Sequence, residues 1–277
     1  MLRTMPVDLS LRVRSHDDLG ARHFLLTLSA DAGLSLPPWE PGQFVMLGLG
    51  QPEGTVDPLL RRPFSIFNLP GGGDVQVFYK VLGRGTRILS EARPGQLVRC
   101  LGPLGNGFSP RRPDGARLLL VAGGIGSASL HPLALGEASA GGRPLLLYGC
   151  RTADDLAGIQ PTRDAGIECR VSTDDGSAGA RGLVSDLLDE FLRSEGKTSP
   201  RRWVVCACGP TPMMKAVADV AARHEVTCYL SLESPMACGF GVCVGCAVPT
   251  RDTRSSPIRY ERICVDGPVM DAARVAW

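Results

Sequence analysis

Near the C-terminus, Cys238, Cys243, Cys246 and Cys264 follow the spacing C-x4-C-x2-C, with the fourth cysteine after 17 intervening residues. No other feature limits the fold as much. This is ferredoxin-like spacing for a [2Fe-2S] cluster, and it predicts that separate stretches of chain converge on one metal group. Gly239, Gly241 and Gly245 alternate with the thiols, so the backbone can curl tightly and turn N–H groups toward cluster sulfurs. Phe240, Val242 and Val244 are expected to keep water off the group. A structural zinc site made by the same four thiolates is the alternative. Zinc sites usually show two short Cys pairs, however, and only Cys243 and Cys246 form one here. The iron–sulfur reading predicts a chain that moves single electrons.

A chain of 277 residues with 44% hydrophobic content is long enough for two or three domains with cores of their own. The net charge is +2, from 30 basic and 28 acidic residues with no long basic block, which argues against nucleic acid as a partner. The N-terminal residues lack an apolar signal core and no stretch has the apolar length of a membrane span, so a cytoplasmic protein is expected. In that setting the scattered Cys100, Cys150, Cys169 and Cys228 read as small buried apolar residues. His16, His23, His131 and His224 lack metal spacing and read as surface or capping residues without a catalytic role.

Two patterns divide the chain. Up to about residue 112, Leu9, Leu11 and Val13 alternate with polar residues, and Val75, Val77, Tyr79 and Val81 repeat the two-residue period. Pro41-Gly42 and Gly71-Gly72-Gly73 mark turns, and one short helix is expected near Thr86. These signals predict a small antiparallel β-barrel. From about residue 113, short continuous apolar runs alternate with helical or loop segments, which predicts a parallel, helix-flanked α/β sheet. Leu183, Leu187, Leu188, Phe191 and Leu192 share one helical face, with Gly196 as the stop. Another helix is expected with Thr211 as N-cap and Pro212 in first position. Residues 229–277 hold all four ligand candidates and are too few for a large core, so the metal group should help hold them folded.

Within the β region, Arg61-Arg62-Pro63-Phe64-Ser65 precedes Gly83-Arg84-Gly85-Thr86, and the pair looks like a flavin dinucleotide site. Arg62 can grip a pyrophosphate oxygen, Gly85 and Thr86 open a helix whose N–H groups favour the same anion, and Ser65 is suited to the isoalloxazine edge. Each piece alone also reads as an ordinary strand end or turn. In the α/β region a strand runs into Gly123-Gly124-Ile125-Gly126, where a dinucleotide phosphate can rest. That spacing is short of a full GxGxxG, and Pro132 is tolerable there in a first helical turn. Asp174-Asp175-Gly176-Ser177 and Cys208-Gly209-Pro210 end later strands; for the Asp pair, plain turn chemistry is the leading reading.

Taken in order, several segments resemble the ferredoxin-NADP reductase superfamily and, more closely, the electron-transfer subunits of type B dihydroorotate dehydrogenases. They are Pro41-Gly42-Gln43-Phe44-Val45, Arg62-Pro63-Phe64-Ser65, Phe78-Tyr79-Lys80, Gly83-Arg84-Gly85-Thr86, Gly102-Pro103-Leu104-Gly105-Asn106-Gly107-Phe108, Ala122-Gly123-Gly124-Ile125-Gly126, Thr173-Asp174-Asp175-Gly176-Ser177, Cys208-Gly209-Pro210, the cysteine loop and Cys264-Val265-Asp266-Gly267-Pro268. The last two, with the segment ending at Phe108, are the more specific. The resemblance implies an FAD-binding β-barrel (residues 1–112), an NAD-binding α/β domain (113–228) and a small [2Fe-2S] domain (229–277). The last would dock on a separate FMN-containing catalytic subunit, in a heterotetramer.

By the same resemblance, Arg62, Pro63, Phe64, Ser65, Phe78, Tyr79, Lys80, Gly85 and Thr86 contact FAD. Cys238, Cys243, Cys246 and Cys264 ligate iron, and Cys208 sits where nicotinamide approaches the flavin; on residues alone Cys208 reads equally as a core cysteine. The implied function passes electrons from dihydroorotate oxidation on the partner to NAD+ in pyrimidine biosynthesis. A reductase of the same build serving a ferredoxin, hydrogenase or oxygenase is one rival, and a zinc-stapled binding module or thiol redox sensor is another. Residues do not settle NAD against NADP. Residues 50–58 and 249–262 depart from the family pattern as insertions.

Overall fold

The computed structural model describes residues 5–31, 33–48, 59–71, 73–195, 203–253 and 255–277. The insertion at residues 50–58, the turn glycine Gly72 and the helix stop at Gly196 lie outside them.

In β1 (Val7–Asp18), Leu11 and Val13 are buried while Arg12 and Arg14 face solvent, the alternation of a strand with one wet face. It joins β2 (His23–Ser29), β3 (Phe44–Gly48), β4 (Arg62–Ser65), β5 (Asn68–Gly71), β6 (Asp74–Lys80) and β7 (Leu97–Leu104) in an antiparallel sheet ordered β4-β3-β7-β1-β2-β6-β5. The two edge strands, β4 and β5, are separated in the chain only by Ile66 and Phe67. The sheet therefore curls into a half-barrel, and among the described residues this short link, not a ladder of hydrogen bonds between β4 and β5, joins its edges. Phe64 on β4 meets Tyr79 on β6 edge-on at 5.7 Å across the interior. Leu89 of α1 (Arg84–Ser90) completes this core.

The second half contains β8 (Arg117–Gly123), α2 (Ser127–Ser139), β9 (Leu145–Cys150), α3 (Gln160–Asp164), β10 (Glu168–Thr173), β11 (Ala180–Arg181), α4 (Val184–Glu195), β12 (Trp203–Cys208), α5 (Thr211–Arg223) and β13 (Cys228–Ser231). The last segment adds β14 (Ala247–Thr250), β15 (Arg259–Arg262) and β16 (Val269–Asp271). The main sheet runs β11-β10-β9-β8-β12-β13-β16, parallel except for the antiparallel edge strand β16. On β8, Leu118, Leu120 and Ala122 enter one core while Leu119 and Val121 enter the other. A strand buried on both faces explains the continuous apolar run, and each such leucine contributes roughly 1.5–3 kcal/mol. Strand order reverses between β8 and β12, and the crevice beyond their carboxyl ends is where ligands bind in sheets of this type.

Several details differ from expectation. Leu183 is 56% exposed because α4 starts one residue later, and its buried stripe is Val184, Leu188, Phe191 and Leu192. Pro132 lies inside α2 and not in its first turn, because the helix grows directly out of a 3-10 turn at Gly124–Gly126. Pro210, not Thr211, caps α5, which places Pro212 second. His23 and His131 are buried, not surface residues. The division expected after residue 228 cuts through β13, whose pairing with β12 continues to Ser231.

Candidate functional site

β14 and β15 form a two-stranded hairpin in which Ala247 faces Arg262. Cys246 and Cys264 flank its base, so register alone brings residues 18 positions apart together, with their sulfurs 3.2 Å from each other. The strands run away from that base as far as the pairing of Thr250 with Arg259. Cys238 and Cys243 form the second pair, joined by the Cys243 N–H, which donates to the Cys238 sulfur at 3.5 Å. The fold of this loop requires glycine at residue 239: with φ at +82°, a Cβ there would lie 2.5 Å from Met46 of β3.

Burial pushes the Cys238 thiol up, but hydrogen bonds from the N–H groups of Cys243, Phe240 and Val242 outweigh it and hold the thiol down at about 6. Burial, reinforced by the adjacent Cys246, pushes Cys264 up to about 12, so charging that pair calls for a cation between the sulfurs. Two thiol pairs suit a group with two irons, each held by one pair. Phe240, Val242 and Val244 are 51%, 74% and 55% exposed, so they do not shield the thiols as expected. They stand outward around the loop as an apolar rim.

The loop rests against the flavin motif's neighbour. Met46, under Gly239, faces Pro63 across β3 and β4. Farther along, the Asn106 side-chain amide donates to the carbonyls of Val265 and Asp266 at 3.1 and 3.0 Å, and its own N–H donates to Gly267 O at 2.6 Å. Two of the three most specific sequence segments are thus bonded to each other.

A cavity of about 490 Å³ opens beside this junction. Its walls are Phe44, Pro63, Phe64 and Ser65 from the half-barrel, Cys208 and Thr211 from the switch point, and Ser231, Glu233, Met236 and Pro268 from the chain leading to and from the cysteines. Ser65 and Cys208, far apart in sequence, share one pocket. Burial first, and then the Glu233 carboxylate, push the Cys208 thiol up against opposing hydrogen bonds with Ser231 and Ser129, so Sγ keeps its proton at neutral pH. Glu233 reaches solvent at the mouth, yet protein crowds its carboxyl enough that burial pushes it up. A Cβ on Gly126 would lie 2.2 Å from Cys208 O, so the glycine turn lets β8 and β12 end in close contact. Gly123 is similarly crowded by Met213, whereas Gly124, at φ +52°, faces open space.

The remaining predicted residues divide by strand geometry. Phe78 and Tyr79 point to opposite faces of β6. Tyr79 is buried in the half-barrel with its hydroxyl 2.9 Å from His16 Nε2, while Phe78 packs on Phe67 and Ala128 toward the parallel sheet. Lys80 forms an ion pair with Asp155 of the second half. The Arg62 guanidinium turns back to the carbonyl of Leu60 at 2.6 Å. Gly85 is buried, and Thr86 Oγ1 accepts from the N–H groups of Leu82 and Gly83, closing the start of α1. Asp175 accepts from the Ser177 N–H and hydroxyl, which is turn chemistry as expected.

Sequence reasoning missed Ser129, Ser231, Glu233, Asn106 and Asp155. Ser231 and Glu233 carry a readable signal, as they lie two residues apart where a buried strand leaves the sheet. Asp155 carries none.

Residues 233–276 match the family described as the iron-sulfur cluster binding domain of dihydroorotate dehydrogenase B. The chain is 37% identical over 268 residues to the dihydroorotate dehydrogenase B (NAD(+)) electron transfer subunit of Bacillus velezensis, covering 96% of this chain and 98% of that one. It is also 37% identical to an Aquifex aeolicus homolog of that subunit, covering 85% and 86% respectively. Among solved structures, a chain of an NADH-dependent reduced ferredoxin-NADP oxidoreductase aligns with TM-score 0.79 at 28% identity, covering all of this chain and 92% of that one. The ferredoxin reductase of carbazole 1,9a-dioxygenase shares the fold, with TM-score 0.66 at 21% identity, covering 82% and 68%.

Proposed function

Because the chain belongs to the family of dihydroorotate dehydrogenase B (NAD(+)) electron transfer subunits, we propose that it links dihydroorotate oxidation on an FMN-containing catalytic partner to NAD+ reduction, in pyrimidine biosynthesis. When bound, the [2Fe-2S] cluster supplies one-electron transfer and FAD supplies exchange between single electrons and a hydride. The observation that carries this reading is the shared cavity. Flavin-motif residues Phe64 and Ser65 face Cys208 there, and Met236, two residues before the first ligand, lines the same space.

We assign Cys238 and Cys243 to one iron and Cys246 and Cys264 to the other. Arg62, Pro63, Phe64, Ser65, Phe78, Tyr79, Lys80, Gly85 and Thr86 belong to the FAD site, Ser65 and the protonated Cys208 sulfur to the two walls between which nicotinamide enters, and Gly123, Gly124 and Gly126 to the nucleotide turn. Of these three glycines, Gly124 is the one open to a phosphate. The exposed rim of Phe240, Val242 and Val244 is the face offered to the catalytic partner, in a heterotetramer. Residues 1–112, 113–228 and 229–277 serve flavin, nucleotide and cluster, although the third group lends β16 to the second group's sheet. All ten cysteines are free of disulfides, which suits a reducing cytoplasm, and among the described residues no helix is long and apolar enough to cross a membrane.

The test is an anaerobic absorbance spectrum with and without NADH, followed by a coupled assay with the catalytic subunit. Flavin and iron–sulfur bands that bleach with NADH, and dihydroorotate-dependent NAD+ reduction, are expected. Bleaching without the coupled activity, restored by a ferredoxin or oxygenase partner, transfers the reading to another reductase of the same build.

A further inference from the structure

The half-barrel and the parallel sheet also meet along a seam separate from the cavity. Phe67 and Phe78 pack on Ala128 there, with Leu25 and Ile125 beside them. Phe67 stacks on His131 at 4.1 Å, and Phe78 stacks on His23 at 5.8 Å. One ion pair crosses this apolar contact, from Lys80 at the end of β6 to Asp155 in the short 3-10 turn Ala153–Gly158. Both side chains are largely buried. The buried Tyr148 hydroxyl donates to Asp155 O at 2.8 Å, so the carboxylate stands on the rigid part of its own half.

His23 does not fit a permanently closed seam. It is fully buried, and neither ring nitrogen has a hydrogen-bond partner. The carbonyls of Gly20 and Ala21 lie near the ring without hydrogen-bond geometry, and Nε2 faces Gly158. Burial first, and then the Lys80 ammonium, lower its proton affinity against the opposing Asp155 carboxylate and the Gly20 and Ala21 carbonyls, and neither nitrogen meets a protein group in hydrogen-bond geometry. Buried polar atoms without partners are rare and destabilise the arrangement that contains them. Parting the seam would hydrate His23, Lys80 and Asp155 together.

We propose that the Lys80–Asp155 pair is a releasable latch, closed against the unfavourable burial of His23, and that it sets how closely the Cys208 wall approaches Ser65. The kinetic part rests on the redox reading above, and the latch itself does not. Opening frees the turn Ala153–Gly158 and the end of β6, while the Asn106 tether keeps the cysteine segment on the half-barrel.

Hydrogen–deuterium exchange on the full chain, purified with its cofactors, tests this with Asp155→Asn, Asp155→Glu and His23→Phe. Asp155→Asn should raise exchange several-fold at residues 78–82 and 153–162 while leaving residues 97–108 unchanged. Asp155→Glu should restore most of the protection, and His23→Phe should protect the seam beyond the wild type. In stopped flow, flavin reduction at saturating NADH, expressed per bound flavin, should slow several-fold in Asp155→Asn. Wild-type exchange in Asp155→Asn, or a uniform rise that includes residues 97–108, overturns the latch. A localised rise with an unchanged reduction rate overturns the positioning role. If NADH does not reduce even the wild-type flavin, the redox reading fails, and the exchange pattern still decides the latch.

Discussion

The cysteine segment and the flavin-side cavity reach their geometry by opposite routes. In the first, a two-stranded hairpin places Cys246 beside Cys264 and a glycine-bearing loop places Cys238 beside Cys243, so local register does nearly all the work. In the second, Ser65 and Cys208 meet only because two independently built sheets pack together. Spacing along the chain therefore specifies the two cysteine pairs, whereas tertiary packing specifies the pocket. Substitutions in the two regions should fail differently: all-or-none at the ligands, graded at the junctions.

The largest effect is expected at a ligand. Cys243→Ser should abolish the iron–sulfur absorbance and the activity coupled to the partner, while FAD stays bound, because the flavin-motif residues lie on the half-barrel. Absorbance and cofactor analysis of the purified variant check this. Loss of flavin as well would mean that Met236 and Pro268 are needed to complete the pocket, and the contrast between the regions would weaken.

A second effect separates them by pH. His131 is stacked on Phe67 and bonded to Thr162 Oγ1 at 2.9 Å, and burial lowers its pKa from about 6.5 to about 4. A histidine whose folded pKa is depressed takes up more protons unfolded than folded between those values. The stability from its neutral burial is thus full above about pH 6.5 and is lost as pH falls toward about 4, amounting to about 3 kcal/mol. Denaturation midpoints of the wild type and His131→Asn across that range should converge at low pH. The cysteine segment holds no histidine and should add nothing to this difference.

Asn106→Ala comes next. It strands the carbonyls of Val265 and Asp266, at a cost of about 1–3 kcal/mol. Cluster release on mild heating should quicken, while flavin release changes little. Equal acceleration of both would show that the tether supports the two sites alike.

What the sequence disclosed follows the same division. The β-alternation of Leu11 and Val13, the doubly buried run on β8 and the convergence of the four cysteines in two pairs are legible, because each depends on neighbours a few residues away. The helical period places Leu183 on the α4 stripe, because a period alone does not say where the helix begins. Isolated histidines such as His23 and His131 fit surface or capping positions in the sequence, since only the packing of one sheet against another buries them. The same holds for Asp155, whose partner Lys80 lies 75 residues earlier. Phe240, Val242 and Val244 suit a shield in the sequence, but apolar character does not reveal whether a side chain points inward or, as here, toward solvent.

The smallest effect sharpens the comparison most, because it probes the cysteine segment away from its ligands. Tyr260 is exposed on β15, opposite Pro249, toward the far end of the hairpin. If ligand geometry resides in the base pair Ala247 and Arg262, Tyr260→Ala should change stability by no more than about 0.5 kcal/mol and leave the cluster spectrum intact. Thermal melts and visible spectra would show this directly. A broadened or lost cluster spectrum would mean that the hairpin transmits strain along its length, and that register at the base does not by itself fix the sulfurs.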